Sequence, residues 1–217
     1  MTLTTTALRE QLELYLGWSY DLHDPRYPTQ LPGVRLPAAP PRQTNCCAFV
    51  EGLVVGAAAR AGEVPWSLAA HNRAMITDAA HRYSSVEVLV DVGLAERCSP
   101  MDSAPPAWSV CQGWRANGHG HTFLIADVHE GTRVLILEAN CAYGLNGVGW
   151  RGHGMAQASS PPALWYRDSR AWDWDRVRAT YPGLKVAALR IDRLAELVDA
   201  GDQLPDDAPE GGGSIRS

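Results

Sequence analysis

The sequence predicts an α+β fold, in which helices from the first half of the chain pack on an antiparallel sheet from the second half. Residues 46–60 are apolar, rich in Ala and Gly and almost uncharged, which is typical of a buried helix. Beyond residue 106 the pattern changes to short, strand-like segments separated by Gly, Pro and Asp. A chain with helices first and strands afterwards favours the α+β class.

The helices of the first half are indicated by spacing and by caps. Apolar residues at helical spacing predict a helix over 7–17, and Asn45 stands where the N-cap of the helix over 46–60 belongs. Ser84 and Glu87 have the spacing of a capping box. The predicted helices of this half are 7–17, 46–60, 66–80 and 85–95, with a proline-rich loop over 18–44.

The second half contains the predicted sheet. Its strands are expected at 107–114, 121–128, 132–140 and 185–191, with short helices near 170–179 and 192–199. A glycine-rich stretch at 146–154 has no phosphate-loop pattern and predicts a surface loop.

Length and composition indicate one globular domain. The chain has 217 residues, of which 46% are hydrophobic and 20% charged. We expect a single domain over 1–200 and a disordered tail over 201–217, which is polar and rich in Pro and Gly. The final residues faintly resemble the tails of encapsulin cargo proteins, so a docking partner for this tail is a further hypothesis.

Charge and hydropathy exclude several classes of function. The formal net charge is −5 and no long Lys/Arg run occurs, so we expect no nucleic-acid partner. No apolar stretch approaches the roughly 20 residues that cross a bilayer, so no membrane partner is expected. The N-terminus lacks the pattern of a secretory signal. We therefore expect a protein that is cytoplasmic as synthesised, with export possible only by a route that needs no signal peptide.

The cysteines predict neither disulfides nor a structural metal. There are five, an odd number, and no CxxC pair. No cofactor and no metal are expected, although Cys111, His119 and His121 could in principle gather around an ion.

One thiol stands where a nucleophile is favoured. Cys46 occupies the first turn of the predicted buried helix, where free backbone N–H groups and the helix dipole favour a thiolate. The same N–H groups could stabilise an oxyanion. The alternative is that Cys46 and Cys47 are small core residues, the usual role of a free cysteine.

A histidine in the predicted sheet has polar neighbours. A two-residue loop at Glu130–Gly131 places His121 opposite Asn140 and diagonal to Glu138, and a four-residue loop keeps this register. An odd-length loop does not. Such neighbours would fix the tautomer and orientation of a general base, although a histidine satisfied for structural reasons is the alternative.

Four short motifs resemble the NlpC-type cell-wall peptidase superfamily, and most closely its CHAP family, the cysteine, histidine-dependent amidohydrolases/peptidases. Asn45–Val50 resembles the Asp/Gln-Cys-x-x-Phe-Val motif, and Gly120–His121 resembles the Gly-His motif. Leu137–Asn140 resembles the Glu-x-Asn segment, and Tyr15–Tyr20 resembles a Leu-Gly-x-Pro-Tyr stretch. In this chain Ser19 replaces the proline of that stretch.

The resemblance implies a papain-like fold and a cysteine hydrolase that cleaves an amide or peptide bond, with a peptidoglycan peptide as substrate. It implies that Cys46 is the nucleophile, that His121 is the general base, and that the pair Glu138 and Asn140 orients the imidazole. It also implies that Tyr20 lines the substrate cleft. Cys46 is preferred to Cys47 because it stands at the motif's spacing before Phe49–Val50.

Other roles remain open from the sequence. Cys47 and Trp114 are expected to contact the substrate, although a tryptophan in a core is commoner than one in a cleft. An acyltransferase or a protein-directed protease on the same scaffold is the first alternative. A binding module without activity is the second.

Overall fold

A computed structural model of the chain describes residues 3–15, 18–20, 43–62, 70–71, 74–75, 78, 83–99, 103–140, 147–151 and 172–192. Four helices have described bounds: α1 (Thr5–Glu13), α2 (Cys46–Arg60), α3 (Ser85–Asp91) and α4 (Trp174–Thr180). The strands are β1 (Ser19–Tyr20), β2 (Gln43–Thr44), β3 (Ala95–Cys98), β4 (Ser109–Trp114), β5 (Gly120–His129), β6 (Arg133–Asn140), β7 (Gly147–Arg151), β8 (Trp172–Asp173) and β9 (Lys185–Leu189).

These elements form the mixed α+β structure that the sequence predicts. The main sheet has the strand order β3-β9-β4-β5-β6-β7, and β8 pairs with β6 beside this path. All its pairings are antiparallel. A separate parallel pair joins β1 to β2.

Two apolar clusters cover the two faces of the sheet. The helix-side cluster joins α1, α2 and α3 to one face and includes Leu8, Leu12, Phe49, Leu53, Leu89, Val110, Leu124, Leu137, Ala139 and Ala187. The α4-side cluster covers the other face and contains Cys111, Phe123, Ile125, Val134, Ile136, Trp172, Trp174, Val177, Tyr181, Leu184 and Val186. Because successive strand residues point to opposite faces, β5 and β6 contribute alternately to both clusters.

The helix predicted over 46–60 has the bounds of α2, and nearly all of its residues are buried. α1 begins earlier than predicted because Thr4 caps it, accepting a hydrogen bond from the backbone N–H of Ala7 at 3.1 Å. α3 ends at Asp91, since Gly93 with φ 79° turns the chain into β3, a strand that was not predicted.

The predicted capping box at α3 is correct only in part. Ser84 is the N-cap residue, but its side chain makes no capping hydrogen bond. Its hydroxyl instead donates to the carboxylate of Glu87. That carboxylate also pairs with Arg97 and Lys185, each at 3.1 Å. Two cations therefore hold Glu87 toward the sheet, away from the backbone of the cap.

Three segments predicted without strands contain them. Ser19–Tyr20 and Gln43–Thr44, at the ends of the predicted loop over 18–44, pair as β1 and β2. Gly147–Arg151, inside the predicted loop over 146–154, is β7 and extends the sheet beyond β6. Residues 172–173, inside a predicted helix, form β8, so α4 begins only at Trp174. In each case a neighbouring strand supplies hydrogen bonds that a local pattern does not reveal.

Several predictions fall on residues outside those described. They are most of the helix over 66–80, the helix over 192–199 and the tail over 201–217. Within the described ranges, no helix is long and apolar enough to cross a membrane.

Candidate active site

Cys46 and Cys47 are the first two residues of α2. The backbone of Asn45 is extended, and its side-chain oxygen accepts a hydrogen bond from the N–H of Ala48 at 2.8 Å. Asn45 is therefore the N-cap that the sequence predicts, and it sets the point at which the helix begins. Both thiols consequently lie in the first turn, where the backbone N–H groups point out of the helix.

The two thiols contact one another and strand β5. The sulfur atoms of Cys46 and Cys47 are 4.0 Å apart, and the sulfur of Cys47 is 3.0 Å from Oγ1 of Thr122. Cys46 is 8% exposed, whereas Cys47 is half-buried. Thr122 thus joins the start of α2 to the start of β5.

The surroundings move the pKa values of the two thiols in opposite directions. A hydrogen bond from the Cys47 side chain lowers the pKa of Cys46, and hydrogen bonds from the backbone of Thr122 and Cys47 act in the same direction. They outweigh burial and the negative charge of Glu138, which both raise this pKa. The pKa of Cys47 is raised well above its usual range, first by its hydrogen bond to Cys46 and then by burial. Cys46 is therefore the thiol of the pair that ionises first.

His121 is held by a buried carboxylate. Its Nε2 atom lies 2.5 Å from Oε2 of Glu138, and the two side chains are 7% and 0% exposed. An ionised carboxylate can only accept a hydrogen bond, so Nε2 carries the hydrogen when Glu138 is charged. The tautomer and orientation of the imidazole are thereby defined.

The other surfaces of His121 are aromatic. Its ring stacks on Phe123 and Tyr181, with centroids 5.8 and 6.2 Å apart. Gly113 is paired with His121 across β4 and β5, and a Cβ atom on Gly113 would lie 2.6 Å from Cβ of Tyr181. This glycine is what lets Tyr181 approach the sheet closely enough to reach the imidazole. On Tyr181, Arg115 donates to the hydroxyl at 3.4 Å.

In the hairpin between β5 and β6, the pairing at Ile125 is the predicted one, although the loop has a different length from those predicted. His129 pairs with Arg133, so the loop over 130–132 has three residues, and both predicted even loop lengths are wrong. A bulge between Ile125 and Asp127 then shifts the register by one residue. Ile125 consequently faces Ile136, the pairing that the prediction required, and Glu138 lies within reach of His121.

The two halves of the site use opposite faces of β5. Thr122 has the parity of Leu124 and points to the helix side, where it meets Cys47. His121 has the parity of Phe123 and points to the α4 side. The backbone of Thr122 bonds to Cys46, and the charge of Glu138 raises the pKa of that thiol across the strand.

The two aromatic residues predicted to contact the substrate, Tyr20 and Trp114, lie at the ends of β1 and β4. Tyr20 pairs with Thr44 in the β1–β2 ladder, two residues before Cys46, and it is partly buried against the helix-side cluster. Trp114 ends β4 opposite Gly120, where its indole nitrogen lies 3.0 Å from an ideal Cβ position on that glycine. The ammonium group of Lys185 lies over the ring of Trp114, 5.4 Å from its centroid.

Asn140 is the last residue of β6, where its backbone pairs with Gly147 of β7. The side chain of Asn140 lies outside the described part of the structure, so the role of Asn140 in orienting His121 stays a prediction.

Two residues of the site were not predicted from the sequence. Thr122 adjoins His121, and strand alternation alone could have placed it on the helix side of β5. Tyr181 follows α4, 60 positions along the chain from His121, and no local pattern connects them.

Among the described side chains, no three His, Cys, Asp or Glu residues converge into a group that could hold a metal ion.

Comparison of the chain with protein-family models, with curated proteins and with solved structures gives no match.

Proposed function

We propose that this protein is a cysteine hydrolase that cleaves an amide or peptide bond, with Cys46 as nucleophile and His121 as general acid and base. The observation that carries the proposal is the buried hydrogen bond between His121 and Glu138. The residue that follows His121 in β5, Thr122, contacts the sulfur of Cys47 at the start of α2. A thiol with a lowered pKa and an oriented imidazole are the two components that nucleophilic catalysis requires.

In the proposed acylation step, the thiolate of Cys46 attacks the substrate carbonyl carbon and a C–S bond forms. The carbonyl oxygen becomes negatively charged, and the backbone N–H groups of the first turn of α2 stabilise it. His121 donates a proton to the departing nitrogen, and the C–N bond breaks. The products of this step are a thioester on Cys46 and a free amine.

In the second step, His121 removes a proton from water as the water attacks the thioester. The C–S bond then breaks, which releases a carboxylic acid and regenerates the thiolate of Cys46 and the protonated imidazole of His121. Glu138 stabilises the positive charge of the imidazolium at both stages, because it already accepts the hydrogen bond from Nε2.

The motifs that resemble the CHAP family support a papain-like arrangement and a peptidoglycan stem or cross-bridge peptide as the substrate class. Tyr20, which pairs with Thr44 just before α2, and Trp114, at the end of β4, are proposed to contact the peptide. Aromatic side chains are well suited to such a cleft because they bury a large area with few rotatable bonds.

Selective alkylation is the direct test of the thiol–imidazole pair. Iodoacetamide near neutral pH, followed by peptide mass spectrometry, should label Cys46 faster than Cys98 or Cys111, and His121→Ala should slow the labelling of Cys46. His129→Ala is the matched control, since this histidine lies at the far end of β5 with 36% of its side chain exposed. Equal labelling of all the cysteines in the wild type would refute the proposal that the protein is a cysteine hydrolase.

Digestion of purified muropeptides then tests the substrate class. Hydrolysis should depend on Cys46 and fall by about 10²–10⁴-fold in His121→Ala. Products in which the acyl group is transferred to an amine would instead identify an acyltransferase. Binding without turnover, together with ordinary thiol reactivity, would identify an inactive binding module.

A further inference from the structure

The second thiol of the Cys46–Cys47 pair is held in a fixed direction. Its sulfur is 3.0 Å from Oγ1 of Thr122 and 4.0 Å from the sulfur of Cys46, and a hydrogen bond from the Ser85 side chain also lowers its pKa. Thr122 is fully buried, so its hydroxyl has little access to water. Such a hydroxyl needs a protein partner, because an unsatisfied buried polar group is costly.

The number of protons that these groups can donate determines which group is the donor in each hydrogen bond. A thiol has one proton to donate, and its sulfur can also accept. If Cys46 is the thiolate, the S–H proton of Cys47 is the one that can be donated between the two sulfurs. Cys47 then has no proton left for Thr122, so the threonine hydroxyl must donate to the sulfur of Cys47.

We propose that Cys47 and Thr122 are positioning residues for the Cys46 thiolate, linked in a relay in which the hydroxyl of Thr122 donates to the sulfur of Cys47 and the thiol of Cys47 donates to Cys46. This inference rests on the proposed function, since it assigns Cys47 a role in preparing the nucleophile of that reaction. It replaces the expected contact of Cys47 with the substrate. The raised pKa of Cys47 agrees with a thiol that keeps its proton while its neighbour ionises.

The test is the pH profile of Cys46 alkylation in the full-length protein, read by mass spectrometry at the peptide that contains Cys46. Loss of a hydrogen bond to a charged group should raise the midpoint by about one to two pH units in Cys47→Ala. Cys47→Ser keeps a donor and should recover part of this shift. Thr122→Val keeps the shape and the backbone N–H, removes only the hydroxyl, and should shift the midpoint in the same direction.

Cys98→Ala is the matched control for the loss of a thiol. Cys98 lies on β3, which two strands separate from β5, and its removal should leave the midpoint for Cys46 unchanged. The Cys47→Ala Thr122→Val double variant should show no more than the shift of Cys47→Ala alone, since Thr122 acts through Cys47.

An unchanged or lowered midpoint in Cys47→Ala, with a native circular dichroism spectrum, would overturn the proposal. If Cys47→Ala does not fold, an unchanged midpoint in folded Thr122→Val overturns the relay instead. These outcomes are separate from a failure of the proposed function, because alkylation reports the thiolate whether or not the enzyme hydrolyses any peptide. A shifted midpoint in a protein that lacks hydrolase activity would support the relay and leave the proposed reaction wrong.

Discussion

Nε2 of His121 lies 2.5 Å from Oε2 of Glu138 on the neighbouring strand, and both side chains are almost without exposure to solvent. Burial of a carboxylate is costly unless the charge is paired and hydrogen-bonded. Because the imidazole supplies a hydrogen-bond partner for this carboxylate, the two residues depend on one another.

Glu138→Gln should lower the hydrolytic rate while leaving Cys46 in place. The amide cannot stabilise a positively charged imidazole as the carboxylate does, so we expect a loss of at least about tenfold in kcat. Steady-state kinetics on the cleaved peptide is the measurement. Glu130→Gln, at the exposed loop after β5, is the control, and wild-type kcat in Glu138→Gln would contradict the orienting role.

Glu138→Ala should also destabilise the fold. It leaves His121 without its buried partner and opens a cavity beside it, and the removal of one partner of a buried pair typically costs about 3–5 kcal/mol. The free energy of unfolding, measured by urea denaturation, should fall by that order. A change no larger than that of Glu130→Ala would contradict the account of the pair.

The thiols should titrate in a defined order. Hydrogen bonds from Cys47 and Thr122 lower the pKa of Cys46, whereas burial raises the pKa of Cys98 and of Cys111. As the pH rises, Cys46 should therefore become reactive toward iodoacetamide before the other two. Rates measured for each cysteine-containing peptide across the neutral and alkaline range test the order, and earlier labelling of Cys98 would contradict it.

Glu87 should contribute to stability in a pH-dependent way. Its hydrogen bonds and ion pairs with Ser84, Lys185 and Arg97 outweigh the opposing effect of burial and lower its pKa below the ordinary value of 4.5. A carboxyl whose pKa is depressed by folding stabilises the protein above its unfolded-state pKa. This contribution is lost as the pH falls through the folded-state pKa.

Glu87→Gln should therefore be less stable than the wild type near neutral pH and should lose less stability on acidification below about 4.5, the ordinary value. Chemical denaturation at a series of pH values measures both effects. Glu96→Gln, on the neighbouring strand β3 with an exposed side chain, is the control. An equal loss of unfolding free energy on acidification in Glu87→Gln and the wild type would contradict the prediction.

Gly113→Ala should disturb the packing behind His121. The added Cβ would lie 2.6 Å from Cβ of Tyr181, so one of the two backbones must shift. Overpacking of this kind typically costs about 1–3 kcal/mol in the free energy of unfolding. The displaced tyrosine should also lower activity, because its ring stacks on the imidazole.

Gly120→Ala is the comparison for that variant. There the added Cβ would meet the indole edge of Trp114 at 3.0 Å, a side chain that can move away. The loss of stability, measured by thermal denaturation, should be smaller than for Gly113→Ala. An equal or larger loss would show that the approach of Tyr181 is not the critical contact.

The sequence predicts those features of the site that depend on local rules. Asn45 as an N-cap and the apolar run after it define α2, so the position of Cys46 at the helix start follows from neighbouring residues alone. The alternation of β5 likewise separates His121 from Thr122. These signals operate over a few residues and need no knowledge of the fold.

The hairpin shows where local reasoning has a limit. The predicted register is present at Leu124–Leu137 and Ile125–Ile136, but it arises from a three-residue loop and a bulge whose effects cancel. A bulge is decided by how both strands twist against their neighbours, which the sequence of one hairpin does not specify. The strand β7 has the same origin, since its glycine-rich residues pair because β6 offers a free edge.

The sequence by itself therefore determined the α+β class, the place of Cys46 and Cys47 in the first turn of α2, and the presence of His121 and Glu138 on successive strands. Only the tertiary structure decided that Thr122 meets Cys47, that Tyr181 stacks on His121, and that the surroundings lower the pKa of Cys46 and raise that of Cys47. The physical reason is distance along the chain. Caps and alternation act between residues a few positions apart, whereas hydrogen bonds, burial and charge act between groups that only the folded chain brings together.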